Sequence, residues 1–130
     1  MSFDLAVWEG PRPATNEQAA RVYDELMGRM ERGEQQEPTP AIRAYVAALL
    51  ERWPDITGPD GEDSPWVSGP LISEALGDAI YFGISWSRAD EAAAFAARVA
   101  AEHGLVCYDP QSELLVPDQP SGRRWWRRLF

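Results

Sequence analysis

A period-2 pattern opens the chain, with Phe3, Leu5 and Val7 on one side and Asp4, Ala6 and Trp8 on the other. It predicts a half-buried strand from Phe3 to Trp8. Thr15 followed by Gln18 matches a capping box, in which the hydroxyl accepts a hydrogen bond from a backbone N–H of the first turn. This signal predicts a first helix over residues 16–32. The face that this helix would bury consists of Ala19, Val22, Tyr23, Leu26, Met27 and Met30.

A second helical pattern follows a polar break. Thr39 and Pro40 supply an N-cap and a proline at the first helical position, and Pro54 ends the pattern. Residues 55–69 are rich in proline, glycine and acid, which predicts the longest loop of the chain. The face that the second helix would bury consists of Ile42, Tyr45, Val46, Leu49, Leu50 and Trp53.

The second half of the chain begins with a predicted hairpin. Its strands are residues 71–75 and 79–86, and residues 76–78 form the turn between them. Further strands are predicted at residues 105–108 and, as a short extra edge strand, at 113–116. These strands frame a third helix.

Ser87 and Asp90 form the capping box that predicts the start of this third helix, and His103 and Gly104 mark its end. A histidine at a helix C-terminus bonds the last carbonyls and suits the helix dipole. Because His103 is the single histidine of the chain, a structural role is favoured over a catalytic one.

The element order β-α-α-β-β-α-β, with the extra edge strand, predicts a single α+β domain over residues 1–118. It resembles the ferredoxin-like α/β plait with a helical insertion, in which two helices pack on one face of an antiparallel sheet. The opposite face would then carry no helix, and its side chains are too apolar to favour water. That face suggests a homodimer, for which the edge strand at 113–116 offers an alternative contact. The side chains in question are Ala6, Trp8, Tyr81, Gly83 and Ser85.

Residues 119–130 are predicted to be a separate C-terminal tail. Residues 1–122 hold 8 arginines and all 21 Asp and Glu, a formal charge of −13, whereas residues 123–130 carry +4. At about 100° per residue, the arginines and the apolar residues of the tail fall on opposite sides of a helix. Such a segment suits an anionic lipid surface, its own acidic domain or another copy, or a groove on a partner protein. Its contact residues are Arg123, Arg124, Trp125, Trp126, Arg127, Arg128, Leu129 and Phe130.

The composition gives no catalytic, metal or cofactor site. The single cysteine, Cys107, excludes an internal disulfide and alternates into a strand as a core residue. The acids of the 55–69 loop do not match the ligand spacing of an EF-hand, and no glycine-rich phosphate loop or nucleophile elbow is present. Without a signal pattern or a long apolar run, we expect a cytoplasmic protein.

The strand Tyr81–Trp86 and the helix after it resemble the third strand and second helix of an RNA-recognition motif, whose outward aromatic residues stack on bases. Gly83 stands where one of those aromatic residues is expected, which leaves Tyr81 alone. Because phosphate binding needs a basic surface, the acidic domain disfavours nucleic acid as a partner.

The predicted plait brings three segments to one rim of the sheet. Their mixture of tryptophan, arginine and carboxylate is typical of a protein recognition surface, although the tryptophans could equally close the core. The rim residues are Asp63, Trp66, Trp86, Arg88, Asp109 and Gln111.

Four segments together look like a group of small, acidic, uncharacterised bacterial proteins, chiefly from actinomycetes. The segments are Ser2–Gly10, Ile42–Tyr45, Asp63–Trp66 and His103–Gln111. The resemblance covers roughly the first 111 residues and implies no activity. The general build is similar to that of immunity proteins, small acidic domains that neutralise a toxin.

The leading hypothesis is a non-enzymatic cytoplasmic protein that binds another macromolecule, as an immunity-like inhibitor of a basic partner or as a homo-oligomer. An alternative is a peripheral protein that the tail tethers to the inner face of the membrane. The third hypothesis is an enzyme that uses Glu9, Asp63 or Asp109 on an unidentified small molecule.

Overall fold

The computed structural model describes residues 2–117, and within that range the chain forms one five-stranded sheet and three α-helices. The strands are β1 (Ser2–Trp8), β2 (Ala75–Leu76), β3 (Ala79–Ser85), β4 (Val106–Asp109) and β5 (Leu114–Leu115), and the helices are α1 (Asn16–Glu31), α2 (Pro40–Arg52) and α3 (Ala89–Glu102). The mixed α+β class predicted from the sequence is therefore confirmed.

The sheet has the order β2-β3-β1-β4-β5, and each neighbouring pair is antiparallel. The longest pairing joins β1 to β3, with Ser2 opposite Ser85 at one end and Trp8 opposite Ala79 at the other. On its other side β1 pairs with β4, where Ala6 lies opposite Tyr108. The N-terminus of β1 and the C-termini of β3 and β4 therefore lie at the same end of the sheet.

Helices α2 and α3 pack on one face of the sheet and form the larger core. Its fully buried side chains include Tyr45, whose hydroxyl donates to the carbonyl of Ala96 at 2.9 Å and so joins the two helices. The sheet contributes alternate residues to this core: Phe3, Leu5, Val7, Ile80, Phe82, Ile84 and Cys107.

Helix α1 covers part of the opposite face, where Ala19 and Leu26 pack against Ala6, Trp8 and other sheet residues. The expectation of a face without a helix was therefore wrong. Because each side of the sheet has a helix, β1 is buried on both faces near its C-terminus, and alternation alone could not show this.

The predicted starts of the first two helices are confirmed by their caps. The Thr15 hydroxyl accepts the Gln18 amide at 3.1 Å, and the Thr39 hydroxyl accepts the Ile42 amide at 3.3 Å. The capping box expected for α3 was wrong, because Arg88 is its N-cap and makes no side-chain capping bond. A short 3₁₀ helix, Trp86–Arg88, precedes α3 instead.

The first strand of the predicted hairpin was also largely wrong. A 3₁₀ helix spans Leu71–Glu74, and only Ala75–Leu76 pairs with β3 around the Gly77 turn. Gly77 has a φ of 60°, a conformation that favours glycine. Trp66 forms the other bridge to β3, opposite Ile84.

Backbone groups at both edges of the sheet have partners within the chain. Next to β2, the Gly77 amide donates to Gln36 and the Thr39 amide donates to Gly77, each at 3.0 Å. In β5, the Leu115 amide donates to the Asn16 side chain at 3.0 Å. An edge amide with an internal acceptor is less available to another strand, so these contacts disfavour the edge pairing suggested for residues 113–116.

Candidate functional site

Asp4 lies on the face that α1 covers in part, and two hydroxyls hold its carboxylate. The Tyr81 hydroxyl donates to Oδ2 at 2.8 Å, and the Ser2 hydroxyl donates to Oδ1 at 2.7 Å. Asp4, which carries this fixed carboxylate, is partly exposed. A carboxylate held by neutral donors keeps its negative charge available to a cation.

Tyr81, which bonds this carboxylate, belongs to a row of three tyrosines on the same face. Tyr23 of α1 lies with its ring centroid 6.0 Å from that of Tyr81 and 5.2 Å from that of Tyr108. Tyr23 and Tyr81 are partly exposed, whereas the Tyr108 ring is buried beneath them. Their electron-rich ring faces favour cations in the same way that the carboxylate does.

Burial and nearby acidic side chains raise the pKa values of two of these tyrosines. Burial raises the pKa of Tyr23, and the nearby Asp4 and Asp24 raise it further, although a hydrogen bond with Tyr81 acts in the opposite direction. Burial likewise raises the pKa of Tyr108, and Glu113 and Asp24 are the next causes. The tyrosines therefore stay neutral at physiological pH in a negative field.

We call this surface the tyrosine–carboxylate patch; its exposed or partly exposed residues are Asp4, Tyr23, Asp24, Tyr81 and Glu113, and the buried Tyr108 supports them. Within residues 2–117, no arginine forms an ion pair with any of its three acids. The patch differs in this from the α1–α2 connection, where Arg29 and Arg32 lie within 4 Å of Glu34. Its negative charge is not neutralised by the described part of the chain.

A buried carboxylate supports the patch from the turn between β4 and β5. Asp109 is 0 % exposed and accepts from the backbone and side chain of both Gln111 and Ser112. The Gln111 amide group also bonds the backbone of Asp4, with its Nε2 donating to the Asp4 carbonyl at 2.9 Å. Asp109 thus positions Gln111, and Gln111 positions Asp4.

Gly83 leaves room for this arrangement on the neighbouring strand. A Cβ at this position would lie 2.7 Å from Cγ2 of Val67 and 3.0 Å from Oδ1 of Asp4. Any larger residue would displace the Val67 side chain or the carboxylate. Close packing therefore explains why glycine stands at position 83, where the RNA-recognition motif has an aromatic residue. The aromatic residue of that pattern that is present, Tyr81, packs against Tyr23.

The six rim residues predicted from the sequence come from segments that do end at one end of the sheet, but their side chains differ in accessibility. Trp66 and Asp109 are both 0 % exposed, so neither presents a surface contact. Gln111 is partly exposed and belongs to the Asp4 network.

The other rim residues lie close to the larger core. Trp86 is partly buried, and its ring centroid is 6.1 Å from that of Phe3. Arg88 donates to the carbonyl of the exposed Asp63 at 3.1 Å and forms an ion pair with Glu91. The structure therefore separates the predicted rim into a core-side group and the Asp109–Gln111 turn.

Trp66 closes the core, as the alternative interpretation of the tryptophans held. Its ring centroid lies 5.8 Å from that of Phe82 and 6.0 Å from that of Trp53. Its indole N–H donates to the Trp53 carbonyl at 3.4 Å. A tryptophan with both its ring and its N–H satisfied inside the fold has a structural role.

The three acids of the enzymatic hypothesis lie in separate environments. Glu9 accepts a hydrogen bond from the Thr39 hydroxyl, Asp63 lies in an exposed 3₁₀ turn, and Asp109 is enclosed in its own turn. Within the described residues, no three His, Cys, Asp or Glu side chains are grouped as a metal site. His103 is exposed at the end of α3, and Cys107 is buried in the core.

Sequence reasoning missed Asp4, Tyr23, Tyr108 and most of the patch. One sequence signal was available for Asp4, because its carboxylate interrupts the apolar run from Phe3 to Trp8. The tail contact residues 123–130 lie outside the described residues.

No helix between residues 2 and 117 has both the length and the apolar character needed to cross a membrane. A comparison with protein-family models, curated proteins and solved structures found no significant match. The site must therefore be interpreted from its own chemistry.

Proposed function

We propose that this chain is a non-enzymatic cytoplasmic binding protein that recognises a basic macromolecular partner through the tyrosine–carboxylate patch, in the manner of an immunity-like inhibitor. The observation that carries the proposal is the Asp4 carboxylate, which Tyr81 and Ser2 fix in a solvent-accessible place. A guanidinium or ammonium group entering there would meet a preorganised anion beside aromatic rings.

The charge balance of the domain supports a basic partner rather than an acidic one. Residues 2–117 contain 20 Asp or Glu and 8 Arg, so the field around the patch attracts cations and speeds their approach. The neutral, partly exposed Tyr23 and Tyr81 add contact area with few rotatable bonds, which lowers the entropy cost of binding.

The test is calorimetric titration of the full chain with an octa-arginine peptide at low and high salt. Asp4→Asn keeps the shape of the side chain and removes its charge. Since an exposed ion pair contributes about 0.2–1 kcal/mol, we expect this variant to bind roughly 1.4-fold to fivefold more weakly. Binding of the parent should also weaken as salt rises.

The matched control is Asp60→Asn, which removes the same charge from an exposed position of the 55–69 loop. It should leave the affinity nearly unchanged. Equal losses in both variants would contradict recognition at the patch, because only the net charge would then matter. Far-ultraviolet circular dichroism spectra that match the parent would show that both variants retain the fold.

We also propose that the fold is a ferredoxin-like plait with additions. The strands β2-β3-β1-β4 and the two helices on one face support this assignment. In this view α1 is the inserted helix, and β5 is an added edge strand.

A further inference from the structure

We infer that the chain's own C-terminal segment, residues 118–130, binds the tyrosine–carboxylate patch of the same molecule when no partner is present. The inference rests on the proposed function, because the same surface receives the basic partner. A partner would therefore have to displace the segment. The patch would then respond only to a basic surface that binds more strongly than the chain's own arginines.

Opposite charges favour contact between the segment and the patch. The segment contains Arg123, Arg124, Arg127 and Arg128, and only one acid, Asp118. The patch offers three carboxylates that no arginine of residues 2–117 neutralises. These arginines are therefore a matching set of opposite charges, held nearby by the covalent chain.

The surface beside the patch also suits the apolar residues of the segment. Helix α1 packs around Ala6 and Trp8, whereas Gly83 further along the same face is contacted by Val67, Asp4 and Ser2. Val67 is 42 % exposed, the highest value among the exposed large apolar side chains of residues 2–117. Trp125, Trp126, Leu129 and Phe130 would remove this area from water.

The segment is long enough to reach. The described chain ends at Pro117, after Val116, whose amide bonds the carbonyl of Cys107 in β4. Neighbouring strands are about 4.8 Å apart, so three steps from β5 to β3 cover about 14 Å. An extended chain covers about 3.3 Å per residue, and the segment can therefore span roughly 40 Å.

The experiment compares nuclear magnetic resonance spectra of the full chain and of a full-length variant, R123Q/R124Q/R127Q/R128Q. If the segment occupies the patch, the backbone signals of Asp4, Tyr81 and Gly83 shift in the variant. The signals of residues 55–63, the part of the loop before Val67, should stay in place. A matched control, R32Q/R43Q/R52Q/R98Q, removes four exposed arginines from the domain and should leave Asp4 and Gly83 unmoved.

The octa-arginine peptide gives a second readout. A short covalent connection gives an effective concentration of about 1 mM, and a segment affinity of about 0.1–1 mM would then weaken peptide binding roughly twofold to tenfold. The tail variant should therefore bind the peptide that much more tightly than the parent does. Parent shifts that depend on protein concentration would overturn the inference, because they would indicate binding between copies.

The two proposals fail in different ways. If the peptide binds at the patch but the tail variant changes neither the patch signals nor the affinity, the inference is overturned and the proposed function stands. If the tail variant shifts the patch but the peptide binds neither protein, the inference is supported and the proposed function fails. Loss of co-sedimentation with phosphatidylglycerol vesicles in the tail variant, with the patch signals unchanged, would identify a lipid contact and overturn the inference.

Discussion

Replacing Asp109 with asparagine tests the link between the β4–β5 turn and the patch. Asp109 is the single charged residue that is buried among residues 2–117, and its two oxygens accept from Gln111 and Ser112. Asparagine retains the shape and one acceptor oxygen, but it removes the charge and turns the second oxygen into a donor. Any loss of stability therefore reports on the polar contacts of the carboxylate rather than on a cavity.

The expected magnitude follows from the bonds that change. A hydrogen bond to a charged group contributes about 1.5–3 kcal/mol and a neutral one about 0.5–1.5 kcal/mol, so each loses roughly 1 kcal/mol. Over the four donor groups the gross loss is about 4 kcal/mol, and relief from burying a charge offsets part of it. We expect Asp109→Asn to lower the free energy of unfolding by about 1–3 kcal/mol.

The assay is urea unfolding followed by tryptophan fluorescence, with the slope of the transition used to check that the same surface is exposed. Asp60→Asn is the control and should match the parent, because its side chain is exposed. If Asp109→Asn were as stable as that control, the turn would not depend on the buried charge. The positioning of Asp4 through Gln111 would then need another explanation.

The remaining predictions concern burial and close packing. All four tyrosines have raised pKa values, so absorbance at alkaline pH should show no native tyrosinate step near the ordinary pKa of about 10. Because the folded state favours the neutral tyrosines, stability is complete below that pH and falls above it; a reversible step in folded protein would contradict this. Burial raises the pKa of the Cys107 thiol, so Ellman's reagent should label it only as the protein unfolds, and rapid native labelling would refute that burial. Gly83→Ala should cost about 1–2 kcal/mol in urea unfolding, and Val67→Ala in the same chain should recover part of it, because the new methyl group meets Val67; additive costs would exclude that clash. Tyr45→Phe should cost about 1 kcal/mol in the same assay, since its hydroxyl bonds Ala96, and an unchanged midpoint would argue against that bond.

Local signals were sufficient for the elements that depend on neighbouring residues. Thr15 and Thr39 cap their helices as predicted, because a cap involves donors only three positions away. The positive φ of Gly104 after α3 has the same local origin. The capping box predicted at Ser87 was wrong because Ser87 lies inside a 3₁₀ helix, Trp86–Arg88, and α3 begins only at Ala89.

The chain's periodicity determined which residues share a face of a strand, and its composition determined that the described surface is acidic. The periodicity could not show which helix covers which face of the sheet, because a strand alternates in the same way whether its outer face is solvated or covered by α1. The patch likewise depends on pairs far apart in sequence: Tyr81 lies 77 positions from Asp4, and Gln111 lies 107 positions away. Only the packing of β1 between β3 and β4 brings these groups together, because the entropy of closing such long loops is offset by the whole core rather than by any local signal.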